Sequence, residues 1–166
     1  AIGAASFTTR SPIGLSAGAS FTSVALSSTE ALSADPKLVR NGSGSELVFT
    51  RLPEGTFLTS TAPAAGTPWS DPVVLGDEER EIGLYGIGAG RLADGRLVAG
   101  TALNDALYWH VEGETTTSTL VLPGHSIIRQ NLAVDRLTGQ AWSAYYNQGA
   151  ANGIWAVPLE PSVGTP

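Results

Sequence analysis

Arg91-Leu92-Ala93-Asp94-Gly95-Arg96-Leu97-Val98-Ala99-Gly100-Thr101 is the stretch on which the fold turns. A short polar linker closed by glycine stands between Leu84-Tyr85-Gly86-Ile87 and an apolar run, and glycine takes positive φ without a Cβ clash, so the segment reads as a tight β-hairpin. Working outward, the same arrangement recurs. Arg51-Leu52-Pro53-Glu54-Gly55 stands between Glu46-Leu47-Val48-Phe49-Thr50 and Thr56-Phe57-Leu58-Thr59. Arg136-Leu137-Thr138-Gly139 stands between Asn131-Leu132-Ala133-Val134 and Gln140-Ala141-Trp142-Ser143-Ala144-Tyr145. The closing glycines are 40 and 44 residues apart. A fainter copy, Leu15-Ser16-Ala17-Gly18, lies 37 residues before Gly55 and precedes the alternating segment Ser20-Phe21-Thr22-Ser23-Val24-Ala25.

A second, less regular pair follows each hairpin: a loop with a tryptophan, then an outgoing strand ending in Pro or Gly. These are Trp69 to Gly76, Tyr108-Trp109-His110-Val111 to Gly124, and Ile154-Trp155-Ala156-Val157-Pro158-Leu159. Four strands in roughly 40 to 45 residues is the period of a propeller blade. The expected fold is therefore all-β, a single domain over residues 1–166 built as a β-propeller-like array of about four four-stranded antiparallel blades. The repeats fall at 1–34, 35–80, 81–124 and 125–166. No window carries a capped 3.6-residue apolar stripe; Ser28 to Lys37 is interrupted by Asp35-Pro36 and has room for one helical turn.

The stretch Ala62-Pro63-Ala64-Ala65-Gly66-Thr67-Pro68-Trp69 resembles the Asp-box hairpin of sialidase-type (BNR-repeat) propellers, whose pattern is Ser/Thr-x-Asp-x-Gly-x-x-Trp. Gly66 and Trp69 match, whereas Ala62 and Ala64 stand where the family has a hydroxyl and a carboxylate. The resemblance implies a hairpin between the third and fourth strands of a blade. It does not imply hydrolysis, because the box is structural in that family, and no catalytic residue of the family can be assigned here. Sialidase-like propellers have six blades, so the chain is a fragment of a larger propeller, one copy of an assembly that closes a ring, or an open or four-bladed variant.

Composition narrows the partners. The formal charge is -6 and the basic residues are scattered, with one lysine, Lys37, so no stripe exists to neutralise a row of phosphates and nucleic acid is not an expected partner. No apolar run is long enough to span a bilayer as a helix. Cysteine is absent, which removes disulfides, thiolate nucleophiles and thiolate metal sites; no cofactor and no metal is expected. Ala1-Ile2-Gly3-Ala4-Ala5-Ser6 has the small residues of a processed start, from which a secreted or extracytoplasmic location is expected. Asn41-Gly42-Ser43 fits both a glycosylation acceptor and a hairpin turn.

No catalytic residue is assigned. His110 and His125 lack a carboxylate partner at informative spacing and are read as surface or loop histidines. Asp77-Glu78-Glu79-Arg80-Glu81 lacks the alternation of a calcium loop and is read as a solvated connection. Gly86-Ile87-Gly88-Ala89-Gly90 has the composition of a phosphate loop but no helix after it. Arg51, Arg91 and Arg136 form a set, since guanidinium forks take carboxylates and equivalent repeat positions can converge; each can also pin its own hairpin. Trp109 and Tyr145 can stack on sugar rings or fill gaps between blades, and Tyr146 and Asn147 stand beside a glycine-rich loop. The expected function is a non-catalytic module for glycan or protein binding, or for assembly as a homo-oligomer or with a complementary chain. The alternative is part of a secreted sialidase-like glycan-active enzyme whose remaining blades lie elsewhere.

Overall fold

The computed structural model describes residues 36–42, 44–51, 56–62, 69–70, 73–75 and 86–160. By its internal contacts the chain divides into Ala1–Glu30 and Ala31–Pro166, and every described residue belongs to the second unit. The faint first repeat, the Asp77–Glu81 run, Gly55 and Gly66 lie outside the described residues. What is described is all-β, with no helix.

Eleven strands form three antiparallel sheets. The first sheet holds β1 (Lys37–Asn41), β2 (Gly44–Arg51), β3 (Thr56–Ala62) and β4 (Val73–Val74) in that order. The second holds β5 (Ile87–Arg91), β6 (Leu97–Leu103), β7 (Ala106–Val111) and β8 (Ser118–Val121), again in chain order. The third has three strands, β9 (Ile127–Val134), β10 (Ala141–Asn147) and β11 (Gly153–Glu160). The three sheets span residues 37–74, 87–121 and 127–160. The Ala62–Leu75 stretch joins β3 to β4, where Trp69 is half-buried and the Ser70 amide donates to the Thr61 carbonyl at 2.8 Å.

Burial patterns give the stacking. Along β10 buried and exposed residues alternate, the mark of a sheet with one covered face. Along β6 six consecutive residues are buried, the mark of a sheet covered on both faces. Leu97 and Ala99 pack with Val39, Val48 and Ile87 against the first sheet. The alternate residues Val98 and Ala102 pack with Leu132, Ala141 and Tyr145 against the third. The second sheet is accordingly the middle layer. Its first strand neighbours the first strand on either side, β5 lying beside both β1 and β9.

Glycine makes the tighter of these contacts possible. A Cβ on Gly88 would lie 1.7 Å from the backbone nitrogen of Leu132, so β5 and β9 approach to a distance that no side chain at that position allows. The Gly86–Gly90 stretch, phosphate-loop-like in composition, is thus strand from Ile87 onward: its small residues serve sheet packing. His110, read from sequence as a surface or loop residue, is instead buried in β7, because the second sheet has no open face there.

Candidate functional site

The first strands of the three sheets border a cavity of about 550 Å³ that is open to solvent. β1 contributes Leu38, Val39 and Arg40, β5 contributes Ala89, Gly90 and Arg91, and β9 contributes Ala133 and Val134. Arg136, in the turn after β9, and Gly42, in the turn after β1, complete the lining. The wall is mostly small or aliphatic, with a guanidinium supplied from each sheet.

Arg91 and Arg136 belong to the set expected from sequence; the third arginine at the cavity is Arg40, which sequence reasoning missed. Arg51 ends β2, whereas the start of β2 is the part paired with Arg40. The reason is the phase of the repeat. The Arg91 and Arg136 turns join the first and second strands of their sheets, but the Arg51 turn joins the second and third of its own. The equivalent turn in the first sheet is Arg40-Asn41-Gly42, closed by Gly42 at φ 58°. The signal that could have found it is Asn-Gly, a strong hairpin marker, directly after an arginine.

The three guanidinium groups are not equally engaged. Arg91 donates through one terminal nitrogen to the Gly95 carbonyl of its own turn and through the other to Glu46 of β2, with Glu112 at 3.5 Å. Glu46 is only 3% exposed. Glu112 also accepts from the Leu97 amide at 2.9 Å. Arg91 therefore pins its hairpin and ties the first sheet to the second. Arg40 donates through Nε to the Gly42 carbonyl at 3.3 Å and has no carboxylate partner among the described residues. Arg136 likewise has none: the neighbouring Asp135 carboxylate turns into its own loop, accepting from the Leu137 amide at 2.9 Å and the Thr138 hydroxyl at 2.8 Å. Those two donors hold the Asp135 carboxyl below the usual aspartate range. In the Arg91 turn, the Arg96 amide and guanidinium do the same to Asp94.

The remaining residues singled out from sequence lie away from this cavity. Trp109 is 4% exposed, in the core shared with the third sheet. Tyr145 is buried; its hydroxyl is 3.1 Å from Nδ1 of His125, and loss of solvent raises its ionisation above the usual tyrosine value. The His125 ring meets Trp155 edge-on at 5.1 Å. Asn147 is fully buried and staples the loop after β10: its Oδ1 accepts from the Ser126 amide at 2.7 Å and the Gly149 amide at 2.8 Å, and its Nδ2 donates to the Ala151 carbonyl at 2.8 Å. Tyr146 donates to Asn152 at 3.2 Å and lines a shallower hollow of about 350 Å³ with Arg129 and Ile154.

Among the described residues no three His, Asp or Glu side chains gather to hold a metal ion. Comparison with known proteins gives no relative: no family model matches the chain, and no curated protein matches it.

Proposed function

We propose that the chain is a non-catalytic, extracytoplasmic, β-propeller-like module that binds a glycan or protein ligand or assembles with copies of itself, and that its ligand seat is the cavity between β1, β5 and β9. The observation that carries this reading is the lining: every sheet contributes its first strand, the position nearest the axis when blades are set radially. The succession of β1, β5 and β9 as neighbours supports it, as does the shared strand order of the three sheets. A volume of about 550 Å³ suits a small ligand or one or two sugar rings.

The test places an indole in the cavity. With Ala89→Trp, checked for folding by circular dichroism, and the native chain on the same glycan and peptide arrays, the native chain retains at least one ligand class and the variant loses it. Equal retention by both would put the seat elsewhere. Hydrolysis of an aryl glycoside by the purified chain, stopped by Asp94→Asn or Asp135→Asn, would overturn the non-catalytic assignment.

A further inference from the structure

We infer that Arg40 and Arg136 form a two-arginine clamp for an anionic group, carboxylate or sulfate, on a small molecule seated in the cavity. The inference rests on the reading of that cavity as the ligand seat and adds the chemistry of the ligand. The argument is one of charge. The chain carries a formal charge of -6 and eight arginines, yet three of the eight line one cavity. Among the described residues, every carboxylate adjoining those arginines is already committed. Glu46 and Glu112 are held by Arg91, and Glu112 also by the Leu97 amide. Asp135 is held inside its own turn.

Arg91 is thus matched by protein acids through both terminal nitrogens, its Nε being buried without a partner, and acts as a positioning residue that fixes the end of β5. Arg40 and Arg136 have no such match among the described residues. They flank a wall of Leu38, Val39, Ala89 and Val134 that is open to solvent, where each guanidinium can form a charge-assisted bond to an incoming acid. Guanidinium forks suit planar or tetrahedral oxyanions. Two of them, rather than a stripe, suit one acidic group on a compact ligand rather than a polyanion. Gly42, with open space around it, and Ala89 leave room for the body of that ligand.

The test titrates the full chain with galacturonate, its methyl ester and glucose 6-sulfate, reading affinity by calorimetry and the arginine Nε resonances by NMR. Arg40→Gln, Arg136→Gln, Arg40→Lys and, away from the cavity, Arg129→Gln are compared at low and high salt. Far-UV circular dichroism and melting confirm that each variant is folded. At least one acidic probe is expected to bind ten-fold or more tightly than the neutral ester, and the tighter of the two acids identifies the group. Arg40→Gln and Arg136→Gln each weaken it ten-fold or more and flatten its salt dependence; Arg40→Lys recovers part of the loss, and Arg129→Gln changes nothing. Equal binding of acid and ester, abolished for both by Ala89→Trp, overturns the clamp and leaves the seat standing. Acid binding that depends on Arg129 alone, or no saturable shift of the Arg40 and Arg136 resonances with either acid, also overturns it. Loss of acid binding in Arg40→Gln and Arg136→Gln but not in Ala89→Trp would keep the clamp and move the ligand body out of the cavity.

Discussion

Arg91 and Glu46 show why three arginines at one cavity do not share one role. Glu46 is buried, and its carboxylate joins a guanidinium from the next sheet, so removing its charge strands a partly buried cation as well as losing a contact. Glu46→Gln is expected to lower stability by about 2 kcal/mol, the scale of a hydrogen bond to a charged group, moderated because the Arg91 side chain keeps some solvent exposure. Urea unfolding measures it, and a cycle with Arg91→Met should return a coupling near about 1 kcal/mol or more if the pair acts as a unit. Additive losses would mean that the two side chains act independently. Gly88 sets a different limit. A methyl there would meet the backbone of Leu132, which has no rotamer to change, so Gly88→Ala must separate β5 from β9. The expected cost is about 3 kcal/mol, at the upper end for overpacking. A melting temperature within a degree or two of the native chain would show that the sheets part easily.

The turns are the elements that sequence reading recovers best. Glycine at positive φ and a carboxylate folding back on the next amides leave local marks, and both turns described with an Arg-Leu start are hairpins closed by glycine, Gly95 at 89° and Gly139 at 73°. Strand positions were legible for the same reason, since a run bounded by turn residues needs no knowledge of its neighbours. Which hairpin of a sheet each turn closes was not legible, because first-to-second and second-to-third hairpins carry the same local chemistry. Arg51 was therefore aligned with Arg91 and Arg136 in place of Arg40. Nor was the buried Glu46, whose partner lies 45 residues away on another sheet. The turn carboxylates make a prediction of their own. Asp94 and Asp135 both ionise more readily in the fold than an ordinary aspartate, whose value is about 3.9. A depressed folded value means the unfolded chain binds protons first as pH falls. The stability they add is therefore present above the ordinary value and is lost as pH drops through the folded one. Melting temperature should fall below about pH 4, and in Asp135→Asn that acid-side fall should be shallower; an unchanged profile would detach the turn from acid sensitivity.

At the scale of the whole described fold, the question is what covers the outer faces of a three-sheet stack. Register puts Trp142, Ala133 and Pro158 side by side across the third sheet, Ala144, Asn131 and Ala156 across the next layer of the same face, and Tyr146, Arg129 and Ile154 across the one after. Ile154 is 78% exposed and Trp142 41%, while Ala141, Ser143, Tyr145 and Asn147 on the opposite face are buried. At the other end of the stack, Leu38 and its ladder partner Leu47 turn away from the core that holds Val39 and Val48, and Leu38 is largely exposed. Contiguous apolar surface of this kind usually marks an interaction site. In the proposed module these are the faces through which copies meet, and the two ends differ, so the contact is head-to-tail and closes only at the right rotation. Light scattering at rising concentration should then give a mass above that of a single chain, reaching a fixed multiple if the ring closes. Trp142→Ser with Ile154→Ser should return the single-chain mass without lowering the melting temperature of the monomer, since neither side chain is buried in it. A native chain that stays monomeric and folded at about 100 μM, ten-fold above the affinity of a 10 μM contact, would show that the exposed face tolerates water and would remove self-assembly from the proposed function, leaving ligand binding at the inner strands.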